Sequence, residues 1–120
     1  MTPTVRVLVV DDQLAFHDAA RAVIDAAAGF EWIGGASCGE EGVEQVELLR
    51  PDLVLMDVRM PGIGGIEAAR QIALRGLLAI VVLVTAGQLP CDASSGAAAE
   101  IVPKEGFCGA LLTRLWNDYG

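Results

Sequence analysis

Three apolar runs with almost no polar alternation constrain this chain most. They are Val5-Arg6-Val7-Leu8-Val9-Val10, Leu53-Val54-Leu55-Met56 and Val81-Val82-Leu83-Val84. A strand with one wet face alternates apolar and polar residues; a continuous run needs cover on both faces, as in a parallel sheet. Strands are predicted at 5–10, 30–36, 52–56, 79–84 and 100–102, the second being the weakest pattern. Between them lie segments of helical spacing. The first helix, about 14–28, places Phe16, Ala20, Val23, Ile24 and Ala27 on one stripe and stops at Gly29. The second, about 39–49, carries Val43, Val46 and Leu49 and ends before Pro51. The third, about 65–75, carries Ile66, Ala69, Ile72 and Ala73, and the last, about 106–118, carries Phe107, Leu111 and Leu115. Gly87-Gln88-Leu89-Pro90 reads as loop, and 92–99 supports only a short or irregular fourth helix, weakened by Ser94, Ser95 and Gly96. Strands alternating with helices give an α/β, doubly wound, five-stranded parallel sheet, for which the strand order 2-1-3-4-5 is expected.

Carboxylates end two of these runs: Asp11 and Asp12 the first, Asp57 the third strand. In an open parallel sheet the functional crevice lies at the carboxyl ends of the strands, where the strand order reverses. With strands 1 and 3 adjacent, about 4.8 Å apart, the three acids converge. Two unit charges ~4 Å apart repel by ~4 kcal/mol at an effective dielectric of 20, so such a cluster requires a cation, a shared proton or chemistry. Thr85 closes the fourth strand, and Lys104, the only lysine, closes the fifth. Lys104 lies two strand spacings, ~10 Å, from the third strand, most of which its four-carbon stem covers. Three hard oxygen donors suit Mg²⁺, and no cysteine or histidine joins them to favour zinc. A metal, a lysine and a hydroxyl together are equipped to hold phosphoryl oxygens, leaving one carboxylate as a nucleophile that forms an acyl phosphate.

Each residue also has a plainer reading. Asp11 and Asp12 could cap the first helix, and Thr85 alone is a β-branched strand residue. Met60-Pro61-Gly62 and Gly64-Gly65 are turn chemistry leading into the third helix. His17, the only histidine, reads as a surface residue without a catalytic role, Arg59 as a solvated rim residue, and Trp32 and Trp116 as packing residues at the edges.

Composition narrows the classes. The 120 residues, 53% of them hydrophobic, make one domain with a full core, expected to span 1–120. A net charge of −8 argues against direct nucleic-acid binding. The longest apolar stretch, from Leu77 to Ala86, is too short to cross a membrane. Cys38, Cys91 and Cys108 are odd in number and form no CxxC pair, which with the absence of a signal-peptide pattern points to a reduced, cytoplasmic setting.

With these residues in place, the chain resembles the receiver domains of two-component response regulators, which share the flavodoxin-like fold. The resemblance rests on VLVVDD at 7–12, RPDLVLMDVRMPGIGGIEAAR at 50–70, VVLVTA at 81–86 and PKEGF at 103–107, and the wording of the first half is nearest to receivers joined to LuxR-type outputs, the NarL/FixJ group. It implies that Asp57 accepts phosphate from the phosphohistidine of a sensor histidine kinase or phosphotransfer protein. It further implies that Asp11, Asp12, Asp57 and the backbone carbonyl of Arg59 hold Mg²⁺, and that Lys104 pairs with a phosphoryl oxygen. Thr85 would carry the signal to the surface of the fourth helix, fifth strand and fifth helix. A LuxR-type DNA-binding output outside this chain and a homodimer are both compatible with that group.

The chain departs from the family at two positions. Ile101 stands where receivers usually carry an aromatic residue coupled to the threonine, and Glu105 stands where a cis-proline usually follows the lysine. Either a trans bond or a strained loop is expected there, since a cis bond before a non-proline costs ~2.5–4 kcal/mol. The segment from Thr85 to Lys104 also looks short. These departures leave the pocket complete and motivate an alternative, a degenerate receiver acting as a phosphorylation-independent interaction module. An aspartate-nucleophile phosphatase is disfavoured, because the acid such enzymes carry two residues after the nucleophile is replaced by Arg59; the chain is therefore expected not to be an enzyme beyond its own phosphoryl transfer.

Overall fold

The computed structural model describes residues 3–87 and 96–120. Its elements are β1 (Val5–Val10), α1 (Leu14–Ala26), β2 (Phe30–Ala36), α2 (Gly39–Leu49), β3 (Leu53–Asp57), α3 (Gly64–Leu74), β4 (Ile80–Thr85), β5 (Glu100–Pro103) and α4 (Gly109–Tyr119). The five strands form one parallel sheet in the order β2-β1-β3-β4-β5, the expected one.

The unbroken apolar runs are explained by two cores on opposite sheet faces. Leu8, Val10, Val54, Met56 and Leu83 pack with Val43 and Val46 of α2 and Ala68, Ala69 and Ile72 of α3. The alternate residues Val7, Val9, Leu53, Leu55, Val82 and Val84 pack with Ala20 and Ile24 of α1 and Leu112 and Leu115 of α4. Trp32 and Trp116 pack against this second core, as anticipated. The weak pattern of β2 also has a cause. It is an edge strand, and its register against β1 slips between Val7 and Leu8, so that Val7 faces Trp32 while Leu8 faces Gly34.

Boundaries move at a few ends. The last helix starts at Gly109, not 106, because Gly106 has φ +83° and Cys108 is extended at φ −152°, ψ 171°. The first helix ends at Ala26, since Ala27 is already extended. The expected fourth helix lies outside the described residues over 92–95, and residues 96–99 form turns and bends. Cys38 and Cys108 are free thiols, and Cys91 lies outside the described residues. The Lys104–Glu105 peptide is trans, one of the two outcomes expected there.

Candidate functional site

The carboxyl ends of β1, β3, β4 and β5 bring together the residues singled out in the sequence. Asp11 is fully buried; Asp57 and Thr85 are each 6% exposed. Asp12 stays exposed at the rim. One carboxylate oxygen from each of Asp11, Asp12 and Asp57 lies within 4.8 Å of the others. Asp12, Asp57, Arg59, Thr85 and Lys104 line a cleft of about 180 Å³, with Asp11 close beside it. Four other clefts are larger; the two biggest are about 460 and 440 Å³, and the second adjoins the site and shares Asp11 and Asp12 with it. The larger, by Arg50, Leu78 and Trp116, is at the opposite end of the sheet and gathers no such cluster, so chemistry and not volume marks the site.

Lys104 completes the arrangement. Its ammonium lies 2.5 Å from Asp11 Oδ2 and 3.6 Å from Asp57 Oδ2, with the side chain only 11% exposed. Its backbone N–H donates to the Thr85 carbonyl at 2.8 Å, so the β4–β5 ladder sets where the stem departs. Among the described residues, the Thr85 hydroxyl makes only a long, 3.5 Å contact to the Ala86 carbonyl.

The turn after β3 is shaped by contacts that leave no room for side chains. A Cβ on Gly65 would fall on the Asp57 carbonyl oxygen, so only glycine lets α3 begin directly over the end of β3. Gly62 adopts φ +82° against the Glu40 carboxylate, which accepts the Ile63 N–H at 3.2 Å.

Burial, and next the repulsion from Asp11, pushes the Asp57 carboxyl above its ordinary value. The Lys104 ammonium and the Arg59 backbone N–H pull it back, while the Asp12 charge adds to the rise. One lysine among three acids leaves the pocket short of positive charge. Asp11 Oδ1 accepts the Gln13 N–H at 2.7 Å, but its buried Oδ2 has the ammonium contact and no aligned hydrogen-bond donor. Three clustered carboxylates with a net charge deficit are a hard oxygen donor set, and such a set fits Mg²⁺.

The capping reading of the acidic pair fails in its simple form. Gln13 is the N-cap of α1 and caps with no side chain, while Asp11 bonds the Gln13 N–H in an Asx-type turn just ahead of the helix. His17 is not a plain surface residue. It is half-buried, and its Nε2–H donates to the Asp11 carbonyl at 2.6 Å, steadying the backbone that carries the acids. Sequence reasoning also missed Phe16 and Phe107, whose rings pack 6.0 Å apart at 59°, with the Lys104 ammonium 4.8 Å from the Phe16 ring centre. Helical periodicity assigns both to the core, and although Phe107 follows Lys104 closely, nothing in the spacing of Phe16 marks contact with a lysine so distant in sequence.

Comparison with known proteins agrees with this geometry. The family model described as the response regulator receiver domain matches residues 7–105, and the chain belongs to that family. It is a receiver domain of the kind used in two-component signalling. Among its relatives, the response regulator UvrY of Escherichia coli K12 is 44% identical over 69 residues, 58% of this chain and 32% of that protein. The response regulator GacA of Pseudomonas aeruginosa is 43% identical over 68 residues, covering 57% and 32%. This chain thus spans about a third of the length of the curated relatives it matches. Among solved structures, the signal receiver domain of the response regulator NarL from Mycobacterium tuberculosis superposes with a TM-score of 0.87 at 25% identity, covering 98% of this chain and 97% of that one. A LuxR-family two-component response regulator from Aurantimonas gives 0.85 at 27%, covering 97% and 85%.

Proposed function

We propose that residues 1–120 act as a single phosphorylation-switched receiver in which Asp57 is the phosphoacceptor. One observation carries this reading: a nearly buried carboxylate at the end of β3 faces a single ammonium and two further acids across a small open cleft. In the proposed step an Asp57 carboxylate oxygen bonds to phosphorus as the nitrogen–phosphorus bond of a donor phosphohistidine breaks, and the imidazole leaves. Lys104 neutralises charge on the transferred group, and the Thr85 hydroxyl donates to one of its oxygens. Asp11, Asp12, Asp57 and the Arg59 backbone carbonyl are the proposed Mg²⁺ ligands, and the bound ion supplies positive charge to the phosphoryl oxygens.

The donor is proposed to be a sensor histidine kinase or phosphotransfer protein, and the output a LuxR-type DNA-binding domain, by analogy with the relatives above. No described helix is long and apolar enough to cross a membrane. The role is regulatory. Arg59, two residues beyond Asp57, gives no general acid for turning over phosphate esters. A phosphorylation-independent interaction module is the second reading. It is favoured by Ile101, which packs into the core beside β4 in place of a mobile aromatic ring.

Incubation with acetyl phosphate and Mg²⁺, followed by intact-mass and peptide analysis, separates the two readings. The wild type gains one phosphoryl group on the peptide holding Asp57, and Asp57→Asn or omission of Mg²⁺ abolishes the gain. Stoichiometric uptake by Asp57→Asn overturns the assignment, and no uptake by the wild type favours the interaction module.

A further inference from the structure

We infer that Phe16 is a positioning residue for Lys104, its ring face holding the ammonium within the acidic pocket. A lysine stem has four rotatable carbons and a head that water solvates well, so two carboxylates alone do not confine it. Here the ammonium touches Asp11 at 2.5 Å, stands 3.6 Å from Asp57 and lies 4.8 Å from the centre of the Phe16 ring. That last distance is within the reach of a cation–π attraction, which acts through the ring's negative face and requires no single donor direction. The head group can therefore shift between the two acids without leaving the ring.

The ring itself is held in place. Phe16 sits in the first turn of α1, whose start is tied to Asp11 through the Gln13 N–H. It packs on Phe107, and the Phe107 N–H donates to the Lys104 carbonyl at 3.2 Å. The lysine and the two rings thus form a closed set spanning the α1 and β5 ends of the site. Gly106, at φ +83°, turns the chain back so that Phe107 reaches Phe16.

For catalysis, the inference rests on the proposed phosphorylation of Asp57: a lysine kept in the pocket meets each incoming phosphoryl group without first being ordered. The single lysine makes the test direct, because protein labelled with ¹³C-lysine gives one set of lysine signals. The Lys104 ε-methylene protons are expected to lie upfield of free lysine and to show nuclear Overhauser contacts to the Phe16 ring. Phe16→Leu, an apolar replacement of smaller size, is expected to return these signals to ordinary values; Phe16→Tyr, which keeps a ring face, is expected to retain the shift. With acetyl phosphate, whose phosphoryl group passes to the Asp57 carboxylate as acetate leaves, the rate constant is expected to fall about fivefold in Phe16→Leu and to recover in Phe16→Tyr.

Ordinary lysine shifts in the wild type, with no ring contacts, overturn the inference without any variant having to fold. So do lysine signals that are the same in Phe16→Leu as in the wild type. Ring contacts in a wild type that takes up no phosphate leave the positioning intact and reject the phosphoacceptor reading. Phosphate uptake without ring contacts does the reverse.

Discussion

Asp57 at the end of β3 and Glu100 at the start of β5 each meet a cation, yet their carboxyls are displaced in opposite directions. Asp57 is nearly buried, shares Lys104 with a closer competitor, Asp11, and is pushed up. Glu100 lies at the surface, where Arg114 donates to it from Nη1 at 3.0 Å and Nη2 at 2.6 Å and the Tyr119 hydroxyl donates at 2.7 Å. Its carboxyl is held below the ordinary value, first by the Arg114 hydrogen bonds and then by Tyr119. One carboxylate has fewer favourable partners than its charge requires; the other has more than enough. Satisfied charge holds structure together, and unsatisfied charge is a place to bind or react.

The largest expected effect comes from removing the cation that the pocket does have. Lys104→Met leaves Asp11 buried and unpaired and should lower stability by about 3–5 kcal/mol in urea unfolding without divalent ions. The matching Arg114→Met change at the exposed face should cost far less, because solvent screens that pair. Equal losses would erase the distinction between the two regions.

The two carboxyls should also give opposite pH responses. With its native value raised above the usual 3.8, Asp57 binds more protons folded than unfolded in the window between those values. Its contribution to stability therefore falls as pH rises through that window, and its penalty is fully present at neutral pH. Asp57→Asn should accordingly melt higher than the wild type at pH 7, with the gap closing below about pH 4. A lower melting point for the variant at pH 7 would mean that Lys104 outweighs burial and repulsion.

Glu100 should behave in the other sense and more weakly. Its contribution is complete above the usual 4.5 and is lost as pH falls through its lowered native value. Glu100→Gln should destabilise by less than about 1 kcal/mol at pH 7, since Arg114 is half-exposed, and high salt should shrink the difference. A salt-independent loss would show that the Arg114–Tyr119 network is better shielded than its exposure indicates.

Much of the fold was legible because it depends on patterns local in sequence. Continuous apolar runs such as Leu53-Val54-Leu55-Met56 require burial on both faces, which the helices on either side of this parallel sheet provide. The limits of α4 were less legible, because Gly106 and Cys108 break the helical path without breaking the apolar spacing of Phe107 and Leu111. The candidate acids were legible for a different reason: charges that end buried strands cannot be packing residues.

Residue type and order along the chain therefore determined the sheet, the acidic cluster and the lone lysine that serves it. Only the tertiary structure decided how the charge is shared: that Lys104 sits closer to Asp11 than to Asp57, that His17 and Gln13 hold Asp11, and that Phe16 lies against the ammonium. The physical reason is that sequence patterns report which face of an element is buried. Which of two carboxylates an ammonium favours depends on differences of about 1 Å among side chains from separate strands and helices, set by the packing of the whole domain.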